Sequence, residues 1–273
     1  MQISGGISIT GGVSLTPPES GGSGGGYSFQ GSNFGYTSGG ADTDTIDKFS
    51  FASDGNATDV GNLTRDAREC AGQSSSSHGY TSGGLNGDLS LMDVIDKFPF
   101  SSDSNATDSG DLTASKWKVH GQSSASHGYL TGGYNKTPSA NIFTNEINKF
   151  PFASDSNATD SGDLSENKYG PSGQSSTDNG YASGGHLGTS KSSIIEKFPF
   201  ASDSNATNIG DLTISNYNAA GQSSTESGYA SGGGSPTTPS TNTIQKFPFS
   251  SDSNATDVGD LFEARLGGSG QQY

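Results

Sequence analysis

The stretch from Ile95 to Leu112, containing Lys97-Phe98-Pro99-Phe100 and then Ser104-Asn105-Ala106-Thr107-Asp108, occurs five times in this chain with small edits. Its Lys-Phe pair falls at Lys48-Phe49, Lys97-Phe98, Lys149-Phe150, Lys197-Phe198 and Lys246-Phe247, in steps of 49, 52, 48 and 49 residues. A period near 50 makes each copy one supersecondary unit that must bury its apolar face against its neighbours. Apolar residues are only 28% of the chain and glycine contributes 42 of 273 residues. That composition fits a small core repeated many times better than one large core. The fixed spacing of 14 Phe and 10 Tyr argues against a disordered chain of similar composition.

Each unit has four parts. A Gly-Gln-Ser-Ser segment begins at Gly72, Gly121, Gly173 and Gly221. A Gly-Tyr segment ending in Gly-Gly follows, with Tyr36, Tyr80, Tyr129, Tyr181 and Tyr229. The Lys-Phe-Pro-Phe segment is third. A Gly-Asp/Asn-Leu segment closes the unit at Leu63, Leu112, Leu164, Leu212 and Leu261. Each part reads as a short strand, with turns at the Gly, Asn and Asp clusters. No segment sustains apolar spacing at i, i+3, i+4 and i+7, so helix is expected to be minimal. Phe98 and Phe100 share a strand face, and the proline between them predicts a place near a sheet edge. The paired Gly83-Gly84 predict positive φ at a strand end.

The segments Gly79-Tyr80-Thr81-Ser82-Gly83-Gly84, Val94 to Phe98, Asn105 to Asp108 and Gly110-Asp111-Leu112 together resemble the kelch repeat. The resemblance spans residues 28 to about 262 in all five copies, and departs from the family in two ways. The final strand lacks the kelch Trp, and the aliphatic first strand is replaced by small polar residues. What the resemblance implies is an all-β, five-bladed kelch-like β-propeller over residues 27–273, one four-stranded blade per repeat. Leu63, Leu112, Leu164 and Leu212 each precede the next Gly-Gln by nine residues, and Leu261 stands at the same distance from Gly270. Gly270 to Tyr273 is therefore expected to begin a further first strand where the ring must close, and residues 28–36 fill the matching slot in degenerate form.

Residues 1–26 form an extended Gly-rich N-terminal arm, with Ile3 to Thr16 alternating apolar and small residues before Pro17-Pro18 and a Gly-rich linker. Two readings stand for it: a strand that pairs with a partner chain, anchoring the propeller, or a disordered leader. The arm has no basic or apolar region of a secretion signal, and no run approaches about 18 apolar residues.

Charge and chemistry narrow the function. A net charge of −15 disfavours nucleic acid and anionic membranes. The single Cys70 excludes an internal disulfide. The run Asp103 to Asp108 alternates oxygen ligands as a calcium loop does, but lacks the Gly and Glu of an EF-hand. It reads as a turn held by Asp and Asn side chains, with calcium as the alternative and no other cofactor expected. The Asn-Ala-Thr sequons at Asn56, Asn105, Asn157, Asn205 and Asn254 recur because the turn recurs. No unit carries a distinctive cluster of Asp, Glu, His or Tyr, so the chain is not expected to be an enzyme.

Variation concentrates in the loop after Gly-Gly, longest at Tyr134–Glu146. Tyr134, Lys136, Ile142, Phe143 and His186 are the candidate contact residues, because loops fixed by a rigid scaffold carry function. The style of arm and repeats is similar to kelch-like structural proteins of tailed phages, including those of marine cyanobacterial hosts. That similarity implies a non-enzymatic structural or adhesive component of the virion surface, in the tail fibre or capsid. Its partners would be other virion proteins through residues 1–26, a host receptor or glycan, and an oligomeric assembly. The alternative is a cell-surface adhesin or carbohydrate-binding module.

Overall fold

The computed structural model describes residues 33–40, 43–136 and 141–268. The N-terminal arm and the expected strand at Gly270–Tyr273 lie outside the described residues. Among the described residues the chain is all strand and turn, without helix, in six antiparallel sheets of three or four strands.

Five of the sheets are the five repeats. Unit 1 is β1 (Phe34–Ser38), β2 (Thr45–Ser50) and β3 (Thr58–Asn62). Unit 2 is β4 (Ala71–Ser74), β5 (His78–Ser82), β6 (Val94–Pro99) and β7 (Thr107–Asp111). The short β8 (Lys116–Trp117) comes next. Unit 3 is β9 (His120–Ser123), β10 (His127–Thr131), β13 (Glu146–Pro151) and β14 (Thr159–Asp163). Within it run β11 (Tyr134–Lys136) and β12 (Asn141–Phe143), which join β8 in a small sixth sheet. Unit 4 is β15 (Ser172–Ser175), β16 (Asn179–Ser183), β17 (Ile194–Pro199) and β18 (Thr207–Asp211). Unit 5 is β19 (Ala220–Ser223), β20 (Ser227–Ser231), β21 (Thr241–Pro248) and β22 (Thr256–Arg265). Strands within each unit pair in chain order.

Local chemistry explains the strands. The β6–β7 ladder ends at Lys97↔Thr107, so Pro99 pairs with β5 alone and its missing N–H is not needed on the other side. The proline thus sits at a local edge although its strand is third of four. The Phe98 ring lies over Gly79, where a Cβ would fall 2.3 Å from Cζ. The Gly-Gly pair takes φ of +64° and +102° at Gly83 and Gly84, a turn that side chains resist.

The apolar core is not inside the sheets but between them. Four buried clusters each join consecutive units, as in the one that unites Tyr80, Ile95 and Leu112 of unit 2 with Leu130, Phe150 and Ala158 of unit 3. Every junction repeats one contact set. The tyrosine of one unit stacks on the second Phe of the next: Tyr36 on Phe100 at 4.9 Å, Tyr80 on Phe152 at 4.8 Å, Tyr129 on Phe200 at 4.8 Å and Tyr181 on Phe249 at 4.7 Å. Such pairs add about 0.5–1.5 kcal/mol beyond burial.

The acidic run is part of this junction. Lys48 pairs with Asp103 at 2.7 Å and Lys197 with Asp252 at 2.5 Å, and Lys97–Asp155 and Lys149–Asp203 are equivalent. The Asn105, Asn157, Asn205 and Asn254 side chains accept the N–H groups of Asn62, Asp111, Asp163 and Asp211 in the preceding unit, at 3.0–3.1 Å. The run holds its own local turn, with Asp108 accepting the Gly110 N–H at 3.0 Å, and it also clamps onto the preceding unit.

The first strands of consecutive units meet through glycine. A Cβ on Gly121 would lie 2.3 Å from the Gly72 carbonyl oxygen, and one on Gly173 2.5 Å from that of Gly121. The Gln73, Gln122 and Gln174 amides donate to the carbonyls of Tyr129, Tyr181 and Tyr229 in the next unit, at 2.9–3.1 Å. These strands and β1 border a cavity of about 620 Å³ lined by residues of all five units.

Candidate functional site

The segment after each unit's leucine crosses to the next unit and pairs with the residue after its Gly-Gly. The crossings are Arg68↔Leu85, Trp117↔Tyr134, Tyr169↔His186 and Tyr217↔Gly234. Trp117, Tyr169 and Tyr217 all stand five residues after a unit-closing leucine. The first three crossings each set two side chains opposite one another, and in the fourth Tyr217 faces a glycine. At these crossings Trp117, Tyr134, Tyr169, His186 and Tyr217 are aromatic and half-buried.

They form one continuous band. Trp117 meets Tyr134 edge-on at 5.3 Å, and Tyr134 contacts Phe143 at 5.4 Å. Both reach Tyr169, at 5.9 and 5.1 Å. Tyr169 stacks on His186 at 4.8 Å with planes 13° apart, and His186 meets Tyr217 at 5.0 Å. The long variable loop of unit 3 contains the antiparallel pair β11–β12, which carries Tyr134 and Phe143 into the band.

Cations flank the rings. The Lys118 ammonium is 4.4 Å from the Trp117 ring centre and 5.2 Å from that of Tyr169, while also 3.9 Å from Glu69. Lys191 lies 5.7 Å from the Tyr217 ring. Burial, aided by the charges of Lys191 and Lys118, lowers the His186 pKa, so its ring is neutral at pH 7. A shallow groove of about 270 Å³ runs beside Lys191 and Tyr217, walled by Ser235 to Pro239.

Beneath the band lie two buried lysines. Lys168 and Glu196 form an ion pair with both side chains fully buried. Lys116 pairs with Glu146, which is more exposed; burial lowers the Lys116 pKa. Burial pushes the Glu146 carboxyl up, but the Lys116 bonds outweigh it and hold the pKa low.

Of the residues expected from sequence, Tyr134, Phe143 and His186 come together in this band. Ile142 is 44% exposed on β12, opposite Asn135, and takes no part in the ring contacts. Lys136 ends β11, and its side chain lies outside what is described. Sequence reasoning missed Trp117, Tyr169, Tyr217, Lys118 and Lys191. Their common offset from Leu112, Leu164 and Leu212 was the available signal for the three aromatics. Among the described residues, no group of three or more His, Cys, Asp or Glu is placed to hold a metal ion. No protein-family model and no curated protein matches the chain.

Proposed function

We propose that this chain is a non-enzymatic structural and adhesive protein of a virion surface, a five-bladed kelch-like β-propeller carried on an N-terminal anchoring arm. The observation that carries the reading is the division of labour between what repeats and what does not. The junction contacts recur unit by unit and serve only to hold the sheets together. The aromatic band is assembled from the segments that differ among units, and it is continuous. A rigid scaffold with a single symmetry-breaking face suits contact with a host surface or a neighbouring particle protein. Residues 1–26 would join the propeller to other virion proteins. Fold-level analogy sets only the starting point of this argument.

Mass spectrometry and immunogold labelling of purified particles test the assignment. The chain in stoichiometric amount, labelled on intact particles, supports it; a chain found only in the host cell envelope overturns it.

A second reading, a cell-surface adhesin or carbohydrate-binding module, is favoured by the half-buried rings of Trp117, Tyr169 and Tyr217 next to Lys118 and Lys191. Flat rings offer apolar faces for sugar C–H groups, and lysines offer donors for hydroxyls or carboxylates. A glycan array separates the two readings, since strong and selective sugar binding favours the module.

A further inference from the structure

One junction between units brings an amine, a primary amide and a carboxyl group into mutual contact. Four residues past each unit-closing leucine stand Ala67, Lys116, Lys168 and Asn216. The matching third-strand positions of the next units hold Asp96, Asn148, Glu196 and Gln245. Of these four pairs, only Lys116 with Asn148 sets an amine beside an amide. Both are buried, at 1% and 0% exposure, and Lys116 Nζ donates to Asn148 Oδ1 at 3.3 Å. The same oxygen accepts the Thr113 hydroxyl at 2.8 Å and the Thr113 N–H at 3.3 Å. The hydroxyls of Thr64 and Thr213 hold Asp96 and Gln245 likewise, so this cradle is general to the junctions.

What is particular to this junction is Glu146. It stands two residues before Asn148, where the other units have Thr45, Val94, Ile194 and Thr243. Its Oε2 contacts Lys116 Nζ and accepts from Asn148 Nδ2 at 3.4 Å. One carboxylate oxygen thus touches both the nitrogen able to attack and the nitrogen able to leave. The Glu146 side chain is 37% exposed, which gives a small product a way out. Burial lowers the Lys116 pKa and so reduces the cost of freeing its amine.

We propose that the folded chain joins Lys116 to Asn148 by an intramolecular isopeptide bond, with Glu146 as the proton carrier. Holding the two groups in contact turns a slow exchange between amine and amide into an intramolecular one. Glu146 takes a proton from the Lys116 ammonium, freeing the electron pair that attacks Asn148 Cγ. The Thr113 donors stabilise the negative charge that gathers on Oδ1. Glu146 passes its proton to Nδ2 and takes a second from Nζ. The Cγ–Nδ2 bond then breaks with its electron pair on nitrogen. Ammonia leaves and carries off the second proton as ammonium, and Glu146 ends as a carboxylate. No oxidant or added reactant is required. The bond ties unit 2 to unit 3 across 32 positions of sequence. Lys168 and Glu196 occupy the same two positions in the next junction, but Glu196 has no amide nitrogen to lose and Ile194 stands in place of the carboxyl. That pair stays ionic. The proposal rests on side-chain placement and not on what the protein binds.

Mass spectrometry of the folded full-length chain, intact and after tryptic digestion, tests the assignment. The expected intact mass is lower than the sequence requires by one ammonia. The expected digest contains a branched peptide, uncut after Lys116, in which fragmentation joins Lys116 to Asn148. Cleavage after Lys116 with Asn148 unaltered overturns the proposal. So does a loss of ammonia confined to Asn148, which is ring closure onto the Lys149 nitrogen. The wild-type digest decides the bond whether or not any variant folds. Glu146→Gln, once shown to keep its β circular dichroism, should retain the full mass and be cut after Lys116. Linkage in that variant as complete as in the wild type overturns the role given to Glu146.

Discussion

Tyr181 lies nearly parallel to Phe249 of the next unit, with ring centroids 4.7 Å apart and planes at 22°, while its edge meets Phe247 at 5.6 Å. This aromatic triad, one ring from one sheet and two from the next, is the unit of cohesion in the array. Tyr181 stands more than 60 positions from both phenylalanines in sequence.

Tyr181→Ala removes the largest shared side chain at that junction. A cost of about 3–5 kcal/mol is expected, as for other large buried aromatics. Urea titration followed by near-ultraviolet circular dichroism reads it. A loss below about 1 kcal/mol would place the cohesion elsewhere.

The Lys168–Glu196 pair is fully buried, so removing one partner strands a charge. Lys168→Met should destabilise by about 3–5 kcal/mol. The double variant Lys168→Met with Glu196→Leu should recover a large part of that loss, because no unpaired charge remains. The equivalent places in other units hold Ala67 and Asn216, so the site does not demand a lysine. A double variant as unstable as the single one would show that the pair is needed for more than its mutual neutralisation.

Gly173→Ala would put a Cβ 2.5 Å from the Gly121 carbonyl oxygen, a backbone atom with little room to retreat. A loss of about 1–3 kcal/mol follows from such overpacking. Gly268→Ala is the control, since its nearest neighbours would stand at 3.8 Å, an ordinary contact. The difference in thermal midpoint between the two variants is the measurement.

Much of the scaffold was legible because its signals are local and repeat. Alternation in Lys-Phe-Pro-Phe places both phenylalanines on one face, and Gly83-Gly84 takes the positive φ that paired glycines permit. Contacts between units were harder to read. Asp103 and Asn105 look like a ligand loop or a closed turn from spacing alone, because their partners Lys48 and Asn62 sit more than 40 residues away. The aromatic band was half visible. Tyr134, Phe143 and His186 stand in an obviously variable loop, but Trp117, Tyr169 and Tyr217 lie in the crossing segments, where no period-two pattern draws the eye. The burial of Lys168 could not be read either, since only tertiary pairing makes a lysine tolerable in the core.

Burial lowers the pKa of all four histidines, most of all His120, which falls to about 4. In the unfolded chain a histidine titrates near 6.5. The unfolded state therefore binds more protons than the folded one between those values, and stability falls as pH drops from about 6.5 toward 4. His120→Ala should flatten this part of the profile, and alanine fits because Ala71 and Ala220 occupy the equivalent places. Urea midpoints at pH 7 and 5 provide the check. A wild-type midpoint that does not fall at pH 5 would contradict the assignment.

The aromatic band is the proposed contact face. Its most direct test is equilibrium binding of the labelled full-length chain to host cells, for the wild type and for Tyr169→Ala and Trp117→Ala, each first shown to keep its β circular dichroism. Aromatic anchors at such faces are worth about 2 kcal/mol or more, a loss of roughly 30-fold in affinity. A loss of that size in both variants is predicted. Unchanged binding by folded Tyr169→Ala and Trp117→Ala would contradict the claim and move the contact to another surface.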